Sequence, residues 1–170
     1  MKIGLGSDHA GFELKEDLRR YLGEQNIPVE DFGTQSESSV DYPDIGAAVA
    51  EKVAGGELDR GILICGTGLG MSIVANRFAG VRATLCHDLY TARISREHND
   101  SNLLVLGGRL TGKGLAREIL KVWLEAAFQG GNHERRLGKI KSLERRIDEV
   151  VKSQQNDGFV KSSRCKARKN

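Results

Sequence analysis

Cys65 closes a short apolar run, GILIC (61–65), and three glycines follow it at alternate positions, Gly66, Gly68 and Gly70. A thiol at the mouth of a glycine-rich loop supports two kinds of chemistry. The loop N–H groups can cradle the phosphates of a nucleotide, or they can hold a negative charge that the thiolate helps to create. The first kind fits poorly. A Walker loop ends in Gly-Lys-Ser/Thr, and CGTGLGMS contains no lysine. The dinucleotide fingerprint G-x-G-x-x-G finds Gly66 and Gly68, but Met71 stands at its third glycine. Asp88, about twenty residues on, keeps that reading open, because the fingerprint places an acidic residue there.

A cysteine ending a buried strand is most often inert core. Two features set Cys65 apart. The loop runs into a helix, so its N–H groups and the helix dipole point back at the thiol and favour the thiolate. The same N–H groups, with the Thr67 hydroxyl, suit an oxyanion forming on a small substrate. A base beside a preformed anion site is what proton abstraction next to a carbonyl requires. His9 and His98 each sit in a polar cluster, SDHAG and REHNDSN, and Asn99 and Asp100 can orient the His98 ring. Arg109, His133, Arg135 and Arg136 lie near glycine turns, in GGRLTG and GGNHERR. The guanidinium fork suits a phosphate. Each alone is a surface charge; together, beside a thiol and a histidine, they point to a small phosphorylated substrate.

These residues need a scaffold that brings them together. KIGLG (2–6), VEDFG (29–33), GILIC (61–65), VRATLC (81–86) and NLLVLG (102–107) read as strands, mostly without polar alternation, as when both faces are covered. Helical patterns fill the gaps. Leu14, Leu18 and Leu22 recur four apart behind Ser7 or Asp8 as cap, and further helices are expected over 44–54, 70–78, 88–97 and 114–128. The alternation predicts an α/β, Rossmann-like three-layer sandwich around a five-stranded parallel sheet. Right-handed crossovers then set the loops after each strand along one edge, where Asp8, His9, Cys65, His87 and Asp88 meet. A last helix, from about Glu134 to Ser153, carries Leu137, Ile140, Leu143, Ile147 and Val151 on one stripe. That stripe packs on a second subunit or on its own domain.

The chain has 170 residues, room for one domain, here 1–153, followed by a basic tail, 154–170, read as mobile and solvated. The net charge of +3 is uneven. Residues 152–170 carry six Lys or Arg and one Asp, and the rest carry 20 against 22 acids, so the body is not a basic nucleic-acid binder. No apolar run reaches membrane-spanning length, and the N-terminus lacks a secretory apolar segment. Three cysteines without paired spacing favour a reducing, cytoplasmic setting. No metal-ligand rhythm is present, so no metal is expected.

The segments GSDHAGFELK, DYPD, GILICGTGLGMSIVANRFAGVRA, SREHNDSNLLVLGGR and GGNHERR resemble the ribose-5-phosphate isomerase B and galactose-6-phosphate isomerase family, from Met1 to about Ile147. The resemblance implies an aldose–ketose isomerase without cofactor, interconverting ribose 5-phosphate and ribulose 5-phosphate through a cis-enediol(ate). It also implies a homodimer with active sites at the subunit interface, often paired into tetramers. By position it makes Cys65 the base, Thr67 with the amides of Gly66, Gly68 and Gly70 the enediolate stabiliser, and His98, aided by Asp8, the ring opener. Asn99 then holds sugar oxygens, and His9, Arg109 and Arg136 grip the phosphate, with Asn132 and His133 alongside. Some members use a glutamate in the glycine loop where this chain has Met71, which makes this the cysteine type. Members commonly read GGRH where this chain reads GGNH, so Asn132 replaces a charge with an amide and shifts phosphate binding onto Arg109 and Arg136. A four- or six-carbon sugar phosphate (erythrose 4-phosphate, allose 6-phosphate, galactose 6-phosphate) is the alternative substrate; a nucleotide-binding module is the alternative class.

Overall fold

The computed structural model describes the backbone of residues 1–166 and the side chains of residues 1–154. Residues up to Gly130 form one unit and those from Gly131 a second. The first alternates strand and helix: β1 (Ile3–Ser7), α1 (Phe12–Glu24), β2 (Val29–Asp31), α2 (Tyr42–Ala54), β3 (Arg60–Cys65), α3 (Leu69–Ala75), β4 (Ala83–Leu85), α4 (Leu89–Glu97), β5 (Leu103–Gly107) and α5 (Lys113–Glu125). The five strands are parallel, in the order β2-β1-β3-β5-β4.

Successive side chains of a strand face opposite sides, and the central strands show it. Ile62, Ile64, Leu104 and Leu106 pack with Leu14, Leu18 and Leu22 of α1, Ala92 of α4 and Ile119, Leu120 and Trp123 of α5. Leu63, Cys65, Leu103 and Val105 pack on the other side, with Val49, Ala50 and Val53 of α2 and Met71 and Ala75 of α3. Both faces of β3 and β5 are therefore dry, which is why their sequences lack polar alternation. The chain leaves β1 toward β2 and leaves β3 in the opposite direction. The crevice beyond the carboxyl ends of β1 and β3 is thus the switch point where open sheets of this type bind ligands.

Local chemistry moves several element ends from where the pattern predicts them. Asp8 does not cap α1 directly: it caps a 3-10 turn, His9–Gly11, its Oδ1 accepting from Gly11 N at 3.0 Å, and α1 starts behind that turn. The predicted 70–78 helix stops at Ala75, because the Asn76 amide turns to bond both backbone groups of Ala83 in β4, at 2.9 and 3.0 Å. β2 ends at Asp31, whose Oδ1 accepts from Gly33 N in a tight turn. In the second unit, α6 (Asn132–Lys166) runs past the predicted end near Ser153. Helix geometry needs no apolar stripe and no proline interrupts 154–166, so periodicity alone could not locate its end. Of the segment 154–170, read as a mobile, solvated tail, the side chains from 155 and the backbone from 167 lie outside the described residues. Ile140, Leu143, Ile147 and Val151 are exposed along α6. No helix among the described residues is long and apolar enough to cross a membrane.

Candidate active site

Three loops at the carboxyl edge of the sheet are packed backbone to backbone, and glycine makes that possible. A Cβ on Gly107 would sit 2.9 Å from Thr67 O, and one on Gly108 2.7 Å from Ala10 O. One on Gly11 would sit 2.8 Å from Ile64 O. Hydrogen bonds stitch the same loops: Gly108 N donates to Cys65 O at 2.8 Å and Arg109 N to Gly66 O at 3.0 Å, while Asp8 N reaches Ile64 O at 3.3 Å. The loops after β1, β3 and β5 therefore form one floor.

Cys65 stands at the centre of that floor. The thiol is 5% exposed, and its Sγ accepts a hydrogen bond from Gly68 N at 3.2 Å. Gly68 reaches this position in the left-handed conformation, φ +81°, and its Cα lies so close to Leu85 and Leu106 that any side chain would collide. Thr67 is exposed, with Oγ1 accepting from Leu69 N at 3.4 Å. The Arg109 side chain lies beside Gly66: its Cδ and Nε are each 3.5 Å from where a Cβ on Gly66 would stand. His9 is half-buried; its Nδ1 accepts from Val40 N at 3.3 Å, so Nε2 carries the proton of the neutral ring and is a donor. Asp8 is 6% exposed behind it. The structure thus brings Asp8, His9, Cys65, Gly66, Thr67, Gly68, Gly70 and Arg109 to one edge.

His98 and Asn99 are elsewhere. They follow α4, which runs back from β4 to the start of β5, so they lie at the amino edge of the sheet, about one strand length, roughly 15 Å, from Cys65. Asn132, His133 and Arg136 open α6, in the second unit. Met71 is fully buried, against Gly46, and carries no ionisable group toward the crevice. Asp88, the acidic residue that kept a dinucleotide reading open, is the N-cap of α4: its Oδ1 accepts from Thr91 N at 2.8 Å and its Oδ2 from Thr91 Oγ1 at 3.0 Å. The Thr91 backbone N–H holds its carboxyl below the usual range. Cys86 is fully buried against α4, and desolvation pushes its thiol up to about 11, which fits the reading of that residue as core.

One neighbour of the loop was missed. The Tyr42 ring lies over Gly70, its Cε2 and Cζ 2.6 Å from where a Cβ would stand. Its only trace in the sequence is its place in DYPD, at the start of a helix whose Pro43 sits in the first turn. Among the described residues, no group of three or more His, Cys, Asp or Glu side chains could hold a metal ion.

Comparison with known proteins identifies the family of this fold. The family model described as Ribose/Galactose Isomerase matches residues 3–140. The chain is similar to ribose-5-phosphate isomerase B of Escherichia coli, with 49% identity over 85% of this chain and 97% of that one. It is also similar to D-erythrulose-4-phosphate isomerase of Pectobacterium atrosepticum, with 39% identity over 82% of this chain and 93% of that one. Its fold matches the structure of ribose-5-phosphate isomerase B from Clostridium thermocellum with a TM-score of 0.85 and 54% identity, over 86% of this chain and 99% of that one. The chain belongs to the Ribose/Galactose Isomerase family and is a sugar isomerase.

Proposed function

We propose that the substrate is a phosphorylated sugar, and that the chain interconverts ribose 5-phosphate and ribulose 5-phosphate through a cis-enediolate. The observation that carries this reading is the Gly68 N–H held 3.2 Å from Cys65 Sγ, at the switch point of the sheet. The Cys65 thiolate takes the C2 proton of the open-chain aldose, the C–H electrons form the C1–C2 double bond, and the carbonyl oxygen becomes the oxyanion. Loop amides from Gly66 to Gly70 and the Thr67 hydroxyl hold that charge. The proton on the C2 oxygen passes to the C1 oxygen, and the thiol returns its proton to C1 as C2 becomes the carbonyl. His9 Nε2 and Arg109 grip the phosphate, which fixes the reacting carbons against the sulfur.

His98, aided by Asp8, opens the furanose ring, Asn99 holds sugar oxygens, and Asn132, His133 and Arg136 complete the phosphate grip. A chain whose His98 lies at the sheet edge opposite its own Cys65 is best served by a second copy, so the working unit is a homodimer. Leu69 and Ile73, each 59% exposed on α3 beside the loop, offer an apolar surface for that copy. The four-carbon alternative is favoured by the similarity to D-erythrulose-4-phosphate isomerase, at lower identity. A turnover panel of ribose 5-phosphate, erythrose 4-phosphate, allose 6-phosphate and galactose 6-phosphate tests the assignment. The largest kcat/KM falls on ribose 5-phosphate; a larger value on another sugar overturns the substrate, and none on any overturns the reaction.

A further inference from the structure

The turn that carries His98 and Asn99 is held by more bonds than a surface turn needs. Asp100, next in the chain, is in the left-handed region, φ +44°. Its two carboxylate oxygens are divided between two arginines: Arg96 Nη1 donates to Oδ1 and Arg82 Nη2 to Oδ2, each at 2.8 Å. Arg82 Nε donates to Asn99 O at 3.0 Å and to Asp100 O at 2.8 Å, and Arg96 Nη1 also donates to Ser101 O. Arg82 is fixed in turn, because Asn102 Oδ1 accepts from its backbone N at 2.8 Å. On the inner side the fully buried Trp123 donates from Nε1 to Ser101 Oγ at 3.3 Å, and its ring lies between 5.1 and 5.8 Å from the guanidinium carbons of Arg60 and Arg96. The last turn of α4, the entry to β4, the start of β5 and the end of α5 all converge on these few residues.

We propose that Asp100, with Arg82 and Arg96, is the positioning device of the ring-opening step: it holds the 98–100 turn so that His98 and Asn99 meet the sugar at a set angle. This rests on the assignment of ring opening to His98 above. Without the clamp the turn still forms, but its geometry spreads, and a misplacement of about 1 Å costs on the order of a hundredfold when a group acts at the reacting atoms. The effect is largest on the step that His98 performs. The proton transfer at Cys65 uses the loop at the other edge of the sheet and feels this turn only through the Asn99 contacts to sugar oxygens.

Asp100→Asn isolates the charge. Asparagine tolerates the left-handed conformation, but its amide N–H₂ faces one of two guanidinium donors, so one arm of the clamp is lost. Two activities are compared. Turnover of ribose 5-phosphate, which is a furanose in solution, needs the ring opened. Exchange of the C1 hydrogens of ribulose 5-phosphate in D₂O, followed by NMR, does not, because this ketose has its C5 oxygen phosphorylated and is acyclic. The expected result is a fall in kcat on ribose 5-phosphate at least about tenfold larger than any fall in the exchange rate, since the Asn99 contacts are shared by both activities and cancel in the comparison. Arg82→Gln, which removes the donor to Asn99 O, gives the same split and stands in if Asp100→Asn does not fold. Equal losses in both activities, or no loss in either, overturn the proposal. His98→Asn is measured beside them: if it turns over ribose 5-phosphate at the parent rate, the ring-opening assignment itself fails, whereas a slow His98→Asn with a fast Asp100→Asn refutes the clamp alone.

Discussion

The backbone N–H of Gly68 donates to the sulfur of Cys65 from 3.2 Å, across a turn that glycine alone enters without strain. That hydrogen bond fixes the direction of the sulfur within the loop. The thiol is thus oriented by the same loop that carries the exposed Thr67.

Removing that sulfur separates chemistry from binding. Cys65→Ala loses about 10²–10⁴-fold in kcat, the usual worth of a general base. Affinity for ribose 5-phosphate, measured by calorimetry, stays within a few-fold, since His9 and Arg109 are untouched. A variant with the parent kcat refutes the role of Cys65.

Gly68→Ala tests the turn itself. A methyl there would stand 2.4 Å from Leu85 Cδ1 and 3.1 Å from Leu106 O at a φ of +81°. Left-handed strain alone costs about 1–2 kcal/mol. Thermal unfolding should show a drop of several degrees, and kcat should fall along with it as the amide leaves the sulfur.

Arg109→Ala addresses phosphate binding. The side chain lies beside Gly66 and is otherwise exposed, so its loss does little to stability. KM for ribose 5-phosphate rises about tenfold or more, as expected for a charge-assisted contact worth roughly 1.5–3 kcal/mol. An unchanged KM in steady-state kinetics would remove Arg109 from the phosphate site.

Asp17 and Arg117 tie α1 to α5 through a bidentate pair, at 2.6 and 2.9 Å, with the carboxylate 4% exposed and the guanidinium 41%. The Arg117 hydrogen bonds hold the Asp17 carboxyl below its usual range. A carboxyl depressed in the folded state stabilises the fold above its unfolded value, near 3.9, and loses that contribution as pH falls through the folded value. Arg117→Met therefore destabilises the fold at pH 7, by an amount screened by solvent around the exposed arginine. Urea titrations should show the gap between parent and variant closing below about pH 4. A gap independent of pH would mean that the pair acts through packing rather than charge.

Cys86 provides a control on thiol reactivity. Desolvation pushes it to about 11, so at pH 8 its thiolate is on the order of one part in a thousand. Mass spectrometry after iodoacetamide treatment of the folded protein should find Cys86 unmodified at pH 8, with labelling rising toward pH 10. Ready alkylation at pH 8 would contradict its burial.

The sequence was legible wherever a local rule carries the information. Apolar runs without alternation announced the strands of a sheet covered on both faces, and Leu14, Leu18 and Leu22 announced the buried stripe of α1. Side-chain competition with the backbone hid the ends: Asn76 left its helix to bond Ala83, and Asp31 closed its strand on Gly33. Such bonds depend on what lies opposite, not on the residue alone.

By itself the sequence determined that Asp8, His9 and Cys65 share an edge, because loops that follow parallel strands joined by right-handed crossovers have nowhere else to go. The tertiary structure alone decided that β5 inserts between β3 and β4, and so that Gly107 and Gly108 close over Thr67 and Ala10. It alone turned Asp88 into a helix cap, laid Tyr42 over Gly70, and set His98 at the far edge from Cys65. Strand order and through-space contact are properties of pairs distant in the chain, and no residue carries the identity of its partner in its own neighbourhood.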